Sequence, residues 1–365
     1  MSAIIRPNVL QMEPYAPGRP IEDVKREFNL DRVVKLASNE NPFGPSPLAV
    51  EAIQRAAANL HQYPDGSAAA IRNAIAAKFG LEAENILLGN GSDELIHLIG
   101  LLFLDGPDTE MIMGNPSFVR YDAAAHLAPA KLTKIPLDAD HKHDLDRMLE
   151  AVTPNTRVIF VANPNNPTGT VVTGTAIRAF LDKLPGHVTL VLDEAYFEFA
   201  AHAPNMPNSA DLVREGYNVI GLRTFSKAYG LAGIRVGFGF APKSVVDAYH
   251  RAREPFNVNS LAQVAAVAAL DDAEHLQKTV ENNTLGLQFL KDLFEQTGGT
   301  PVESYANFAY ADLHREADPV FQALLRKGVI VRSGKHVGHP NFLRVSVGTM
   351  EELEIFANEF RGLSD

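Results

Sequence analysis

A chain of 365 residues with 46% hydrophobic and 21% charged side chains is long enough for two packed units and needs no covalent staples. The absence of Cys excludes disulfides, thiolate metal sites, iron–sulfur clusters and cysteine nucleophiles together. A formal net charge of −11 argues against a sequence-independent grip on nucleic acid or on an anionic membrane.

Met1 to Pro7 holds no basic stretch followed by an apolar run, so no secretory signal is read. No apolar run reaches the roughly 18 residues of a membrane span, and a cytoplasmic protein is expected. The first periodic helix opens at Ser46 and Pro47, a cap followed by proline, with Val50, Ile53, Ala57 and Leu60 on one face. The next starts after Ser67, buries Ile71, Ile75 and Phe79, and stops at Gly80. Short apolar strands follow over 86–88, 111–113, 158–162, 188–192, 219–222 and 236–240. Among the helices between them, one places Ile177, Phe180, Leu181 and Leu184 on one stripe. Apolar strands alternating with helices predict an α/β fold whose mostly parallel sheet is covered on both faces. Beyond about 250 the order changes to helices over 260–270 and 284–297, strands over 308–313, 329–331 and 343–347, and a helix near 319–327. The expected division is an N-terminal segment 1–45 packing with the small domain, a large domain 46–250, and a small α+β domain 251–365.

Ligands of open α/β sheets bind beyond the carboxyl ends of the strands, so the residues after each strand carry the chemistry. Gly89 to Glu94 forms a glycine-rich turn opening a helix, fit for an anion. It matches neither the dinucleotide fingerprint nor a P-loop, and Asp93 and Glu94 must turn their side chains aside if an anion binds. Asn166 follows the strand over 158–162, Asp193 and Tyr196 follow the one over 188–192, and Thr224, Ser226, Lys227 and Arg235 follow the one over 219–222. A desolvated lysine can form a Schiff base with a carbonyl cofactor and move protons. A carboxylate such as Asp193 facing a pyridine nitrogen makes that ring an electron sink. Tyr196 and Asn166 suit a phenolic ring oxygen, and Arg235 with Thr224 and Ser226 suits a dianionic phosphate.

Other features read more plainly. His141 and His143 with Asp140 and Asp144 form a solvated charge run before a helix. His336 and His339 are loop histidines without a third ligand, and no metal is expected. Phe118 and Tyr121 read as core aromatics when taken without the flanking Pro116. Arg332 and Arg344 lie against apolar runs, which favours a buried anionic partner.

Six blocks then stand in one order: Leu36 to Ser46, Tyr63 to Gly66, Asn163 to Gly169, Asp193 to Tyr196, Ser226 to Arg235 and Leu343 to Thr349. With them the chain resembles a fold-type I, pyridoxal-phosphate-dependent aminotransferase, and within that group the histidinol-phosphate aminotransferase family. The resemblance implies that Lys227 is the lysine joined to pyridoxal 5'-phosphate, with Asp193 and Tyr196 as its catalytic partners. Asn166 and Tyr196 would hold the ring oxygen, while Gly91, Ser92, Asp93, Thr224, Ser226 and Arg235 would hold the phosphate. Phe118 stands where the family commonly has a ring-stacking Tyr, keeping the stacking and losing a hydroxyl. Tyr63 would cross a homodimer interface to the other subunit's phosphate, so that active sites are shared. Tyr15, Asn41, Tyr63, Arg332 and Arg344 would touch substrate, Arg344 through a carboxylate and Arg332 through a phosphate.

The segment between Arg332 and Arg344 departs from the family pattern, adding Lys335, His336 and His339. The implied reaction moves an amino group between L-histidinol phosphate and 2-oxoglutarate, a small-molecule amino donor and a 2-oxo acid acceptor. The alternative is an aromatic amino acid (phenylalanine or tyrosine) as donor. A decarboxylase of a phosphorylated amino acid and a non-catalytic regulator that binds the cofactor are the remaining readings.

Overall fold

Aliphatic runs too short for helices build the sheets of the computed structural model, which describes residues 5–10, 12, 14 and 18–363. β1 (Val34–Lys35) is short and stands apart. β2 (Ile86–Gly89), β3 (Glu110–Asn115), β4 (Lys131–Pro136), β5 (Thr156–Ala162), β6 (Thr189–Asp193), β7 (Val219–Thr224) and β8 (Gly237–Phe240) form a seven-stranded sheet ordered β2-β8-β7-β6-β5-β3-β4. β8 is antiparallel to β2 and β7, and the other neighbours run parallel. In β5, Val158 and Phe160 enter one core while Ile159 and Val161 enter the other, so the sequence shows a continuous apolar run. β4 was not expected. Lys131 and Lys134 interrupt its apolar pattern because it is an edge strand, where charge is tolerated and blunts further pairing.

Ser46 Oγ accepts from the Ala49 N–H, and Pro47 opens the helix Pro47–Ala56. That helix ends before Ala57 and Leu60. Both were expected on its buried face and both are exposed. The helix Ala69–Phe79 buries Ile71 and Ile75 and ends at Gly80, whose φ of 65° suits a residue without a side chain. The helix Ser260–Asp271 packs its alanines against Pro47–Ala56, within the core of the large sheet.

β9 (Thr300–Val302), β10 (Phe308–Asp312), β12 (Arg332–Ser333) and β13 (Phe342–Ser346) form an antiparallel sheet ordered β12-β13-β10-β9, and β11 (Val329–Ile330) pairs in parallel with β1. Leu290, Leu293, Phe294, Leu353, Phe356 and Phe360, from two helices, make its core. Val24 of the helix Ile21–Phe28 packs with Leu325 and Ile330. From this packing we propose that residues 18–36 group with the small sheet, that Ser260–Asp271 groups with the large one, and that Asp272 marks the joint.

Directly after β6 and one residue before the end of β7, Glu194 and Arg223 form a fully buried ion pair. Glu194 accepts from Arg223 Nε at 2.8 Å, from the Ser209 N–H at 2.9 Å and from the Ser209 hydroxyl. The guanidinium lies 3.4 Å from the centre of the Phe197 ring and donates to Asn208 at 3.0 Å. Because Glu194 and Arg223 are chain neighbours of Asp193 and Thr224, the pair fixes where these two strands stop. Glu194→Ala removes the hydrogen-bonded partner of a buried guanidinium, leaving Glu198 at 3.8 Å as its remaining carboxylate, and should lower stability in urea unfolding by about 3 kcal/mol. The triple change Glu194→Leu, Glu198→Gln and Arg223→Met, which also removes the second buried carboxylate 3.8 Å from the guanidinium, should cost much less; an equal loss would contradict the ion-pair account.

Candidate active site

The carboxyl ends of β5, β6 and β7 and the start of the helix Ser92–Phe103 open into a cleft of about 930 Å³. The small sheet closes it with Tyr310, Arg332 and Arg344. Asp193, the last residue of β6, is 4% exposed. Its Oδ2 accepts from the Tyr121 hydroxyl at 2.7 Å and its Oδ1 from the Ala195 N–H at 3.2 Å. Burial pushes its carboxyl up to about 6, against the opposing pull of the Tyr121 hydrogen bond.

Lys227 sits in the connection from β7 to β8. Since β8 runs back beside β7, this connection has no sheet to cross and stays over the strand ends, which brings the lysine to the cleft. Its amine donates to the Ser38 carbonyl at 3.0 Å. Burial, helped by the charge of Arg344, brings it down to about 8.

The anion end of the cleft is built from backbone. Gly91 has φ of 80°, and a Cβ there would lie 2.3 Å from Arg235 Nη2. A Cβ on Gly237 would lie 2.4 Å from the Ser92 nitrogen. These two glycines let Arg235 and β8 close on the amino end of a 12-residue helix, where N–H groups and the positive dipole end attract anions. Arg235 donates to Ser226 Oγ at 3.4 Å, and Thr224 Oγ1 accepts from the Ser226 N–H at 3.1 Å. Asp93 stands between Arg235 at 3.5 Å and Arg120 at 3.9 Å. Glu94 does turn aside, accepting from the Asn90 N–H at 2.7 Å and from Asn257 at 2.6 Å.

On the remaining walls, Phe118 lies edge-on to Tyr121, with ring centres 5.7 Å apart. Asn166 donates to the Tyr196 hydroxyl at 3.2 Å and accepts from Arg344 Nη1 at 2.6 Å. Arg344 Nη2 also donates to the Ala37 carbonyl at 2.8 Å. Arg332 and His336 line the outer part of the cleft, Lys335 is exposed, and His339 meets the Tyr310 hydroxyl at 3.0 Å.

Other expected residues stand elsewhere. Asn41 turns away from the cleft, donating to the Ala228 carbonyl at 2.9 Å and to Thr279 at 3.0 Å. Tyr63 is 83% exposed, stacked on Phe256 and off this chain's own cleft. Tyr15 lies outside the described residues. His143 is not solvated: it is buried beside the Ala162 carbonyl at 3.1 Å, and burial pushes it down to about 4. Among the described residues no group of three acidic or histidine side chains could hold a metal. Two polar contributors were not anticipated: Tyr121, signalled by standing three residues after Phe118, and Asn39, inside the block from Leu36 to Ser46.

The profile of the family "aminotransferase class I and II" matches residues 31–360. The chain belongs to the class I and II aminotransferases. It is 47% identical over 357 residues to a histidinol-phosphate aminotransferase of Moorella thermoacetica, covering 98% of this chain and 92% of that one. It is 48% identical over 347 residues to a histidinol-phosphate aminotransferase of Akkermansia muciniphila, covering 94% of each. The crystal structure of histidinol-phosphate aminotransferase from Sinorhizobium meliloti, in complex with pyridoxal-5'-phosphate, superposes with a TM-score of 0.91 at 26% identity, covering 100% of this chain and 98% of that one. The cleft of this aminotransferase has a donor set that fits a phosphorylated pyridine aldehyde: a backbone anion cradle for the phosphate, a depressed lysine for the aldehyde and a buried carboxylate for the ring nitrogen.

A small aldehyde trapped by borohydride should label Lys227 in cofactor-free protein, because the neutral amine is the nucleophile. The labelling rate should rise with pH through a midpoint near 8. Arg344→Gln should move that midpoint upward, since a cation that disfavours the ammonium is removed. A midpoint at the usual lysine value would contradict this electrostatic reading.

Proposed function

We propose that this chain transfers the amino group of L-histidinol phosphate to 2-oxoglutarate, using pyridoxal 5'-phosphate, within histidine biosynthesis. The observation that carries the reading is one cleft holding a depressed lysine, a buried carboxylate and a glycine-built anion cradle. The names of relatives 46–48% identical over 94–98% of the chain support the substrate. When bound, the cofactor supplies an electron sink that makes the hydrogen on the amine-bearing carbon removable.

The residues divide this work by chemistry. Arg235, Thr224, Ser226 and the N–H groups of Gly91, Ser92 and Asp93 would hold the phosphate. Asp193 would hold the proton on the ring nitrogen, with Tyr121 orienting its carboxylate. Tyr196 and Asn166 would direct the ring oxygen, and Phe118 would lie against the ring face. Lys227, with its amine near 8, would be partly neutral at physiological pH. That suits a group which would take the proton from the substrate carbon and return it two atoms along, to the cofactor's C4′ carbon. Arg344 would take a co-substrate carboxylate and Arg332 a substrate phosphate, with Lys335 and His336 adding polar groups at the rim.

We also propose a homodimer in which Tyr63 completes the partner subunit's site, since Tyr63, Leu60 and Phe256 leave apolar surface exposed. Soluble, charged substrates suit a cytoplasmic place.

The aromatic walls Phe118 and Tyr310 would also accept phenylalanine. A comparison of kcat/KM should favour histidinol phosphate over phenylalanine by at least about tenfold, and the reverse order would establish the aromatic reading. Carbon dioxide release without amino transfer would indicate decarboxylation instead. Lys227→Ala should lower the rate of either half-reaction by about 10³-fold or more, and normal turnover would remove the catalytic assignment. Asp193→Asn should retain cofactor but slow proton removal by orders of magnitude.

A further inference from the structure

Asn39 is 2% exposed and holds a left-handed backbone with φ of 55°, which non-glycine residues adopt when their surroundings require it. Its polar groups are committed in several directions. Its N–H donates to Ser346 Oγ at 2.9 Å, while that hydroxyl donates back to Asn39 Oδ1 at 2.6 Å. Its carbonyl accepts from Asn307 at 3.0 Å. Its side-chain NH2 donates to the Tyr196 hydroxyl at 3.0 Å. Ser346 ends β13 and Asn307 precedes β10, so three of these contacts belong to the small sheet and the fourth to the large domain's Tyr196. The two residues before Asn39 receive Arg344 and Lys227 on their carbonyls.

We propose that Asn39 is the positioning residue that holds the Tyr196 hydroxyl toward the cofactor's ring oxygen and ties that contact to the small sheet. The inference rests on the reading of Tyr196 given under Proposed function. An amide donating to the Tyr196 oxygen polarises its O–H and makes it a stronger donor. Without that amide, more charge stays on the ring oxygen, which then holds the neighbouring proton of the lysine-bound cofactor more tightly. The pH midpoint of the bound cofactor's absorbance change therefore moves up. The charged groups that share the cleft with Tyr196 (Lys227, whose amine is 6.0 Å from the Tyr196 ring centre, together with Arg344 and Asp193) are not themselves removed by a change at Asn39.

Asn39→Gly removes the amide while suiting the left-handed backbone. In the holoenzyme its absorbance midpoint should rise by about half a pH unit, the effect of one modest hydrogen bond. Ser346→Ala, which frees the Asn39 amide to rotate, should shift it less and in the same direction. Added to Tyr196→Phe, Asn39→Gly should produce no further rise. Midpoints equal to that of the unsubstituted enzyme in both single variants would overturn the proposal, even if thermal stability or turnover fell. So would a full shift persisting in the Tyr196→Phe background. If Asn39→Gly did not fold, Ser346→Ala with and without Tyr196→Phe would decide the matter. Failure of the underlying reading looks different: Tyr196→Phe alone would leave the absorbance midpoint at that of the unsubstituted enzyme.

Discussion

Removing an amine and a carboxyl from water within one cleft is the constraint on which the rest depends. Burial works in opposite directions on the two groups, lowering the affinity of Lys227 for its proton and raising that of Asp193. Each is brought closer to neutral pH than it would be at the surface, which for the amine is where proton transfer is most useful. Much of the architecture maintains that burial. The small sheet supplies Tyr310, Arg332 and Arg344 as a cover, and the Ala37 to Asn39 segment closes over the lysine. Beneath, the Glu194–Arg223 pair holds the two strand ends in register.

Charge in the cleft is correspondingly uneven. Its anion end holds Asp93 between Arg235 and Arg120, and Arg344 stands near Lys227. In a chain with 11 more acidic than basic side chains the cleft is thus lined by both signs, with Arg120, Lys227, Arg235, Arg332 and Arg344 beside Glu40, Asp93, Asp122 and Asp193, so the net figure does not describe its ligands. The family membership and the near-full-length relatives agree with a cleft that can receive anionic groups.

Much of this was legible from the residues. Parallel strands buried on both faces read as apolar runs, and polar groups after each run mark the cleft, which is how Asp193, Asn166, Thr224 and Lys227 were found together. What escaped did so for physical reasons. β4 carries lysines because it is an edge. His143 looks solvated among Asp140, Lys142 and Asp144, yet its ring is buried against the Ala162 carbonyl. Asn39 and Asn41 are indistinguishable as letters two apart, and their partners, Tyr196 and Ser346 for one and Ala228 and Thr279 for the other, are brought near by tertiary packing alone. Tyr121 is marked as a neighbour of Phe118 by its spacing, but that spacing says nothing of the carboxylate 72 positions later that its hydroxyl meets.

The reversal of β8 limits how this protein can change. The stretch from Phe225 to Val236 is anchored at both ends by neighbouring strands, one of which also pairs with β2. An insertion between Lys227 and Arg235 would have to bulge or drag β8 out of step on two sides at once. The spacing of those two residues thus behaves as a fixed ruler, and drift in loop length must be taken up elsewhere on the molecule.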